Sequence, residues 1–138
     1  MRKRTIAREF ALQALYQMDI CRDNAETVLA DFWFSEEKQG AQEEVRQFTS
    51  ELVKGTESNL AQIDAAIMRY AANWELERMA CLDRNILRLA SFELMFREDI
   101  PPKVSINEAV ELAKKYSGPE AGKFVNGILD KIKAEMKR

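Results

Sequence analysis

Apolar residues recur at helical spacing along almost the whole chain, and no segment shows the strict alternation of a half-buried strand. A first helix is predicted over about residues 5–20, with apolar side chains at i, i+3, i+4 and i+7 along one face. That face consists of Ala7, Phe10, Ala11, Ala14, Leu15 and Met18. A second helix is predicted over about residues 25–36, where Asn24 can act as the N-cap. Its inward residues are Val28, Leu29, Phe32 and Trp33.

A helical pair is predicted next. The first helix of the pair is marked by Val45, Phe48, Leu52 and Val53 and is expected to end near Gly55. The second is marked by Leu60, Ile63, Ile67 and Tyr70. A short helical turn over residues 74–79, with Asn73 as its cap, is predicted to lead from the first half of the chain to the second.

Residues 82–97 are apolar nearly all round, which is typical of a central core helix. Two prolines, Pro101 and Pro102, end that helix because the residue before a proline avoids the helical region. Ser105 and Glu108 have the spacing of a capping box, and Val104 with Ala109 could form the accompanying hydrophobic staple. These residues predict a helix that begins at Ser105 and runs to about residue 116.

The last predicted helix begins with Pro119, which suits the first helical position, and continues to about residue 135. The chain is therefore predicted to be all-α, with about seven helices in two small bundles packed together. We expect a single domain over residues 1–138, with helical subdomains over about 1–72 and 73–138.

The amino-acid composition excludes several kinds of catalytic and metal site. The sequence contains no histidine, which excludes His-dependent general bases, triads and metal sites. The two cysteines, Cys21 and Cys81, form no Cys-x-x-Cys motif and are expected to be reduced, partly buried thiols of a cytoplasmic protein. No apolar run approaches the ~20 residues of a membrane span. No membrane contact, cofactor, metal site or catalytic residue is predicted, and the chain is not expected to be an enzyme.

The net charge of −2 is unevenly distributed. Residues 1–18 carry four basic and one acidic side chain, a net +3, and residues 103–138 carry eight basic and five acidic ones, also +3. Residues 19–64 carry eleven acidic and four basic side chains, a net −7. Two basic chain ends around an acidic middle indicate a polyanion site built from both termini, although a scattered solvated surface would give the same counts.

The polar side of the first helix carries candidate nucleic-acid contacts. On a helical wheel Tyr16 lies nearly opposite the apolar face, Arg8 flanks its boundary, and Arg4 lies at the helix start. Arginine can bind phosphates, and tyrosine can stack on a base. The alternative is that Tyr16 packs against another helix and that the basic start is a tail.

The polar side of the last helix brings Lys123 and Asn126 together, with Phe124 at its edge. Gly127 lies close to them and Gly122 lies in the first turn, although a glycine inside a helix costs roughly 0.5–1 kcal/mol relative to alanine. Either the glycines let a ligand approach the backbone, or they permit close packing of two helices.

Opposite charges four residues apart, at Glu93 and Arg97, suggest a surface ion pair, and Asp83 with Arg84 opens the central helix. Alternatively, these charged residues form a polar rim that contacts a partner protein.

Four segments together resemble the NusB family of transcription antitermination factors. The first is residues 4–17, RTIAREFALQALYQ, and the second is residues 83–90 with Glu93 and Leu94. The third is residues 106–114, INEAVELAK, and the fourth is residues 123–130, KFVNGILD, which is the most specific of them. The resemblance runs nearly end to end and is least informative over about residues 19–75.

This resemblance implies an all-helical protein that binds single-stranded boxA-type RNA together with a small-subunit ribosomal protein, NusE, in the RNA polymerase antitermination complex. The implied RNA-binding residues are Arg2, Lys3, Arg4, Arg8, Tyr16, Lys123, Phe124 and Asn126, with Glu120 at the margin. The implied partner face carries Asp83 and Glu93. The basic start is thinner than in members with a longer arginine run, because residues 5–7 are Thr-Ile-Ala.

Two other functions fit the same residues. The first is the RNA-binding helical domain found at the front of some ribosomal-RNA cytosine methyltransferases, although this sequence ends at Arg138 without a methyl-donor domain. The second is a protein–protein scaffold that does not contact RNA.

Overall fold

The computed structural model describes residues 2–71 and 75–136. Within these ranges the chain is all-helical and contains no strand, which confirms the predicted fold class. The helices are α1 (Lys3–Cys21), α2 (Ala25–Phe32), α3 (Glu36–Gln39), α4 (Glu43–Ser58), α5 (Leu60–Tyr70), α6 (Cys81–Phe96), α7 (Pro102–Tyr116) and α8 (Pro119–Met136), with a 3₁₀ turn at Leu76–Arg78. The predicted Asn73 cap and the start of the predicted turn at residue 74 lie outside the described ranges.

The helices form two compact units, one that ends at Ser58 and one that begins at Asn59. The predicted subdomain division near residue 72 assigned α5 to the first unit. The structure assigns it to the second, because α5 packs against α6 and α8.

In the first unit, α1 packs against α2 and α4. The predicted apolar face of α1 is buried at Ala7, Ala11, Ala14 and Leu15, whereas Phe10 and Met18 are half-buried. The buried hydroxyl of Thr49 on α4 lies 3.3 Å from the carbonyl oxygen of Ala7 and 2.7 Å from that of its own helix neighbour Val45. As predicted, Asn24 caps α2, since its Oδ1 accepts a 2.8 Å hydrogen bond from the Thr27 amide.

Two boundaries in this unit differ from the prediction. Helix α2 ends at Phe32 rather than at residue 36, because the Phe34 amide donates to Asp31 in a tight turn and α3 then starts after Ser35. Helix α4 does not end near Gly55 but continues to Ser58.

In the second unit, α6 packs against α5, α7 and α8 and is buried along most of its length, as predicted. A two-point ion pair joins α6 to α5, since Arg88 Nε and Nη2 lie 2.8 and 3.0 Å from the two carboxylate oxygens of Asp64. Such fork-shaped pairing fixes orientation as well as distance.

The predicted capping box at Ser105 is wrong. Helix α7 begins three residues earlier, at Pro102, with Pro101 in the cap position and the Ser105 amide already bonded to the Pro101 carbonyl oxygen at 3.3 Å. Proline is well suited to the first helical position because its missing amide would have no partner there. The predicted staple fails too, since Val104 is exposed.

Helix α7 ends where predicted. Gly118 adopts a left-handed conformation with φ of 107° and donates a 3.0 Å hydrogen bond back to Ala113. Glycine accepts this conformation without steric cost, so α8 can start directly afterwards at Pro119.

Candidate functional site

The basic start of the chain is exposed on the first unit. Arg2 occupies the cap position of α1, and Arg2, Lys3 and Arg4 all have exposed side chains. Lys3 Nζ lies 3.1 Å from Glu44 Oε1, with both side chains at least half exposed. Exposed ion pairs of this kind contribute little to the stability of the fold, so Lys3 can leave Glu44 to bind another anion. The three cations are therefore accessible to a polyanion.

Arg8 differs from the other predicted RNA contacts because it is buried, with 3% of its surface exposed. Its guanidinium lies 5.5 Å from the centre of the Phe48 ring, and the guanidinium of Arg4 lies 4.3 Å from the same ring. Stacking of this kind stabilises the fold by holding α1 against α4. The burial contradicts a direct phosphate contact for Arg8 and assigns it a structural role.

Tyr16 is 40% exposed on the polar side of α1, which agrees with its predicted position. It borders a groove of about 530 Å³ in the first unit that also receives Ile20, Phe32 and Lys38. Lys38 Nζ lies 4.6 Å from the centre of the Phe32 ring. Sequence reasoning missed Lys38 as a candidate, because it directly follows Glu36 and Glu37 in the acidic middle of the chain.

On the second unit, α8 turns its apolar face inward and its predicted ligand face outward. Val125, Ile128 and Ile132 are buried, whereas Lys123 and Asn126 are exposed. Lys123 Nζ lies 3.9 Å from Glu120 Oε1, and both side chains are at least 80% exposed, so the pair is loose. The two predicted contact residues therefore share one open helix face.

The two glycines of α8 have different surroundings. A Cβ placed on Gly122 would lie 3.1 Å from Cγ of Lys114 and 3.6 Å from Cγ1 of Val110, both on α7. A Cβ placed on Gly127 would meet no atom within 4 Å. Close helix packing therefore explains Gly122 but does not explain Gly127, which lies on the open face beside Asn126.

A cleft of about 560 Å³ lies between the start of α6 and the start of α8, and we call it the Asp83 cleft. Its walls include Met79, Ala80, Asp83, Glu120, Ala121 and Phe124. Arg78 borders it as well and is exposed. Phe124, at the edge of the outward face of α8, is half-buried, and Asp83 is half-buried in the first turn of α6. The structure thus brings two predicted RNA-binding residues, Phe124 and Glu120, and one predicted partner residue, Asp83, to the same cleft.

Glu93 is not at the surface. Its side chain is 1% exposed, and its Oε1 accepts a 2.8 Å hydrogen bond from the buried hydroxyl of Ser105. Arg97 pairs with Asp99 at 2.9 Å. Burial contradicts a direct partner contact through Glu93, which links α6 to α7 instead. The Ser-x-x-Glu spacing suggested that Ser105 caps a helix, so sequence reasoning did not predict its hydrogen bond to Glu93.

The end of α8 is attached to α5 through Glu135. Tyr70 Oη donates a 2.6 Å hydrogen bond to Glu135 Oε2, and Arg69 pairs with Oε1. The hydrogen bond from Tyr70, together with Arg69, lowers the pKa of the Glu135 carboxyl. The same bond raises the pKa of the Tyr70 phenol. These contacts help to fix the helix that carries Lys123 and Asn126.

Other site types lack support in the part of the chain that the structure describes. Over residues 2–71 and 75–136, no three His, Cys, Asp or Glu side chains group so as to hold a metal ion. No helix within those ranges has the length and apolar character needed to cross a membrane. Both cysteines are free thiols; Cys81 is half-buried, as predicted, but Cys21 is exposed.

Comparisons with a family model and with known proteins both find similarity to the same family. The family model of the NusB family matches residues 5–134. The transcription antitermination protein NusB of Anaeromyxobacter dehalogenans (strain 2CP-1) is 49% identical over 130 residues, which are 94% of this chain and 89% of that protein.

Two solved structures have the same fold. NusB of T. maritima aligns with a TM-score of 0.85 and 38% identity over 98% of this chain and 92% of its own. A crystal structure of the antitermination factors NusB and NusE in complex with double-stranded RNA aligns with a TM-score of 0.87 and 31% identity, over 98% of each chain.

Proposed function

The chain belongs to the NusB family, and from this we propose that it is an RNA-binding transcription antitermination factor without catalytic activity. The observation that carries the proposal is that the family match, over residues 5–134, covers most of the two helices with exposed candidate contacts, α1 and α8. The open, glycine-bearing helix face beside an exposed lysine favours RNA binding over a protein scaffold that does not touch RNA.

The proposed ligand is a single-stranded, boxA-type element of nascent RNA. Arg2, Lys3 and Arg4 on the first unit and Lys123 on the second would contact its phosphates. Tyr16 and Phe124 would stack on bases, and Asn126 offers both a donor and an acceptor to a base edge. The joining of the two basic chain ends into one surface remains a prediction from the sequence.

The proposed protein partner is the small-subunit ribosomal protein NusE, as a heterodimer that joins the RNA polymerase antitermination complex. Support comes from the similar structure in which a NusB and a NusE occur together with RNA. The proposed partner face includes Asp83, which lines a surface cleft, but not Glu93, which is buried. We also propose a cytoplasmic location, because the ligand is a nascent transcript.

A binding titration tests the function. Labelled boxA-type RNA and an unrelated single strand of equal length and charge are titrated with the protein, with and without NusE. We expect tighter binding to boxA than to the unrelated strand, and a further gain in affinity when NusE is present. Equal affinity for both strands in both conditions would contradict the proposal.

Two variants test where the RNA-binding surface lies. Tyr16→Ala and Lys123→Ala should weaken RNA binding while the helical content and thermal midpoint stay near those of the wild type, since both side chains are exposed. Lys54→Ala is the matched control on α4, because it removes an exposed lysine far along the chain from the proposed contacts. Unchanged RNA binding in both Tyr16→Ala and Lys123→Ala would show that the surface is wrongly placed.

A further inference from the structure

The groove of about 530 Å³ beside Tyr16 is lined mainly by α1 and α2, and we call it the α1–α2 groove. Large apolar side chains in its walls are in contact with water, since Ile20 is 57% exposed and Tyr16 is 40% exposed. Covering such surface is favourable, and contiguous apolar surface on a folded protein commonly marks a contact site. The groove is therefore suited to bind a partner with an apolar side.

The spacing of the lining residues fits a helical partner. Tyr16 and Ile20 are four residues apart, so they lie one turn apart on the same side of α1, with a rise of about 6 Å. Val28 and Phe32 have the same spacing on α2, and their buried side chains form the floor of the groove. Rows of side chains one turn apart are the ridges between which the apolar side chains of another helix pack.

The charge around the groove is negative. Residues 19–38, which include the end of α1 and all of α2, carry six acidic and two basic side chains, a net −4. Five of the acidic side chains are exposed, namely Asp23, Glu26, Asp31, Glu36 and Glu37. Asp31 lies in the wall of the groove itself. This rim attracts a basic partner and repels RNA, because complementary charges steer association.

The aromatic rings at this groove already hold cations of the chain itself. Lys38 Nζ lies 4.6 Å from the centre of the Phe32 ring, and the guanidinium of Arg46 lies 5.2 Å from the Trp33 ring. The Phe32 and Trp33 rings are in edge-to-face contact, with their centres 5.0 Å apart. Aromatic faces attract ammonium and guanidinium groups, so a basic side chain of a partner would find favourable surroundings here.

We propose that the α1–α2 groove docks a basic amphipathic helix of a partner protein, with its apolar side against Ile20 and its basic side towards the acidic rim. This contact goes beyond the proposed RNA-binding function, which uses the basic start of α1 and the outward face of α8. A second copy of the chain is a poorer occupant. A symmetric dimer formed through this groove would bring the two acidic rims together.

A pair of synthetic helices tests the chemistry of the partner. The probe is a fluorescently labelled peptide of about 18 residues, with leucine at i, i+3, i+4 and i+7 and lysine on the other side. The control peptide has glutamate in place of every lysine and keeps the leucine side. Fluorescence anisotropy should show that the lysine peptide binds roughly tenfold or more tightly than the glutamate peptide, because several exposed charge contacts change sign.

Two variants of the groove have matched controls. Ile20→Ser should weaken binding of the lysine peptide about tenfold, whereas Val104→Ser removes an exposed apolar side chain from α7 and should have little effect. Asp31→Lys should weaken binding about fivefold. Glu43→Lys makes the same change of charge at an exposed position on α4 outside the groove and should have a smaller effect. Thermal unfolding checks that each variant is folded.

Cys21 reports directly where the peptide binds. Its thiol is exposed and lies in the wall of the groove, whereas Cys81 is half-buried in the other unit. The bound lysine peptide should slow the alkylation of Cys21 by a maleimide and leave the rate at Cys81 unchanged. Mass spectrometry of the digested protein measures the two rates in the same sample.

Protection of Cys21, together with weaker peptide binding in Ile20→Ser and Asp31→Lys, supports the docking site. No binding of the lysine peptide overturns it, and so does equal affinity for both peptides or binding that leaves Cys21 unprotected.

Two further results would assign the groove to another occupant and overturn the proposal. Weaker binding of boxA-type RNA in Ile20→Ser would make the groove part of the RNA surface. Slower alkylation of Cys21 when only the protein concentration is raised would make it an interface between copies of the chain. The proposed RNA-binding function is tested separately, since it fails only if the wild type does not prefer boxA-type RNA.

Discussion

Gly122 and Gly127 lie five residues apart on α8, and Gly122 is crowded by α7 whereas Gly127 is open. Replacing each by alanine tests whether a glycine serves helix packing or the approach of a ligand. At Gly127 the added methyl group meets nothing within 4 Å. Gly127→Ala should therefore gain the full difference in helix propensity, about 0.5–1 kcal/mol. For a chain of this length that gain raises the thermal midpoint by roughly 2–3 °C.

At Gly122 the same gain is opposed by crowding. The new Cβ would lie 3.1 Å from Cγ of Lys114, so the α7 side chain has to move before the methyl group fits. Gly122→Ala should therefore raise the thermal midpoint by less than Gly127→Ala does, or lower it.

The assays are thermal unfolding followed by circular dichroism and titration with boxA-type RNA in the same buffer. Gly127→Ala should be more stable than the wild type yet bind RNA more weakly, because the methyl group occupies the open face beside Asn126. Wild-type RNA affinity in Gly127→Ala would refute the idea that this glycine provides access. A lower thermal midpoint in Gly127→Ala would show that the added methyl group is crowded and would contradict the open surroundings of Gly127.

Further predictions concern charge. Arg4→Gln should weaken RNA binding and reduce the log–log salt slope by about 0.7, whereas Arg8→Gln should mainly lower the free energy of unfolding, since Arg8 is buried on Phe48; equal salt slopes in the two variants would contradict this division. Glu120→Gln should strengthen RNA binding about two- to fivefold, because it removes a negative charge beside Lys123 that repels the RNA phosphates; weaker binding would refute a marginal, repulsive role. The lowered pKa of Glu135 means that its contribution to stability is complete above its unfolded pKa of about 4.5 and is lost as pH falls through the lower folded value. The difference in thermal midpoint between wild type and Glu135→Gln should therefore shrink towards pH 3, and a difference that grows on acidification would reverse the assigned sign.

The helices themselves were predictable because hydrophobic periodicity and local turn residues determine them. The last helix was predicted over 119–135 and is Pro119–Met136 in the structure, and the central helix was predicted over 82–97 and is Cys81–Phe96. The start of α7 was missed because two local signals competed. Pro102 began the helix, and the Ser105 spacing that resembled a cap fell inside it.

The burial of individual charged residues was not predictable, because it depends on partners distant in sequence. Arg8 stacks on Phe48, forty residues further along the chain, and Glu93 accepts a hydrogen bond from Ser105 on another helix. A helical wheel placed Arg8 at the edge of the apolar face, but it carries no information about what packs there. The exposed members of the site, such as Lys123 and Asn126, were found from the wheel because exposure needs no partner.

The salt dependence of binding to boxA-type RNA tests the central claim most directly. With Arg8 buried, the exposed cations among the proposed contacts are Arg2, Lys3, Arg4 and Lys123. Four phosphate contacts at ~0.7 each predict that log affinity falls with log salt concentration with a slope of about −3. A slope near zero would show that these cations do not bind the RNA backbone and would contradict the account.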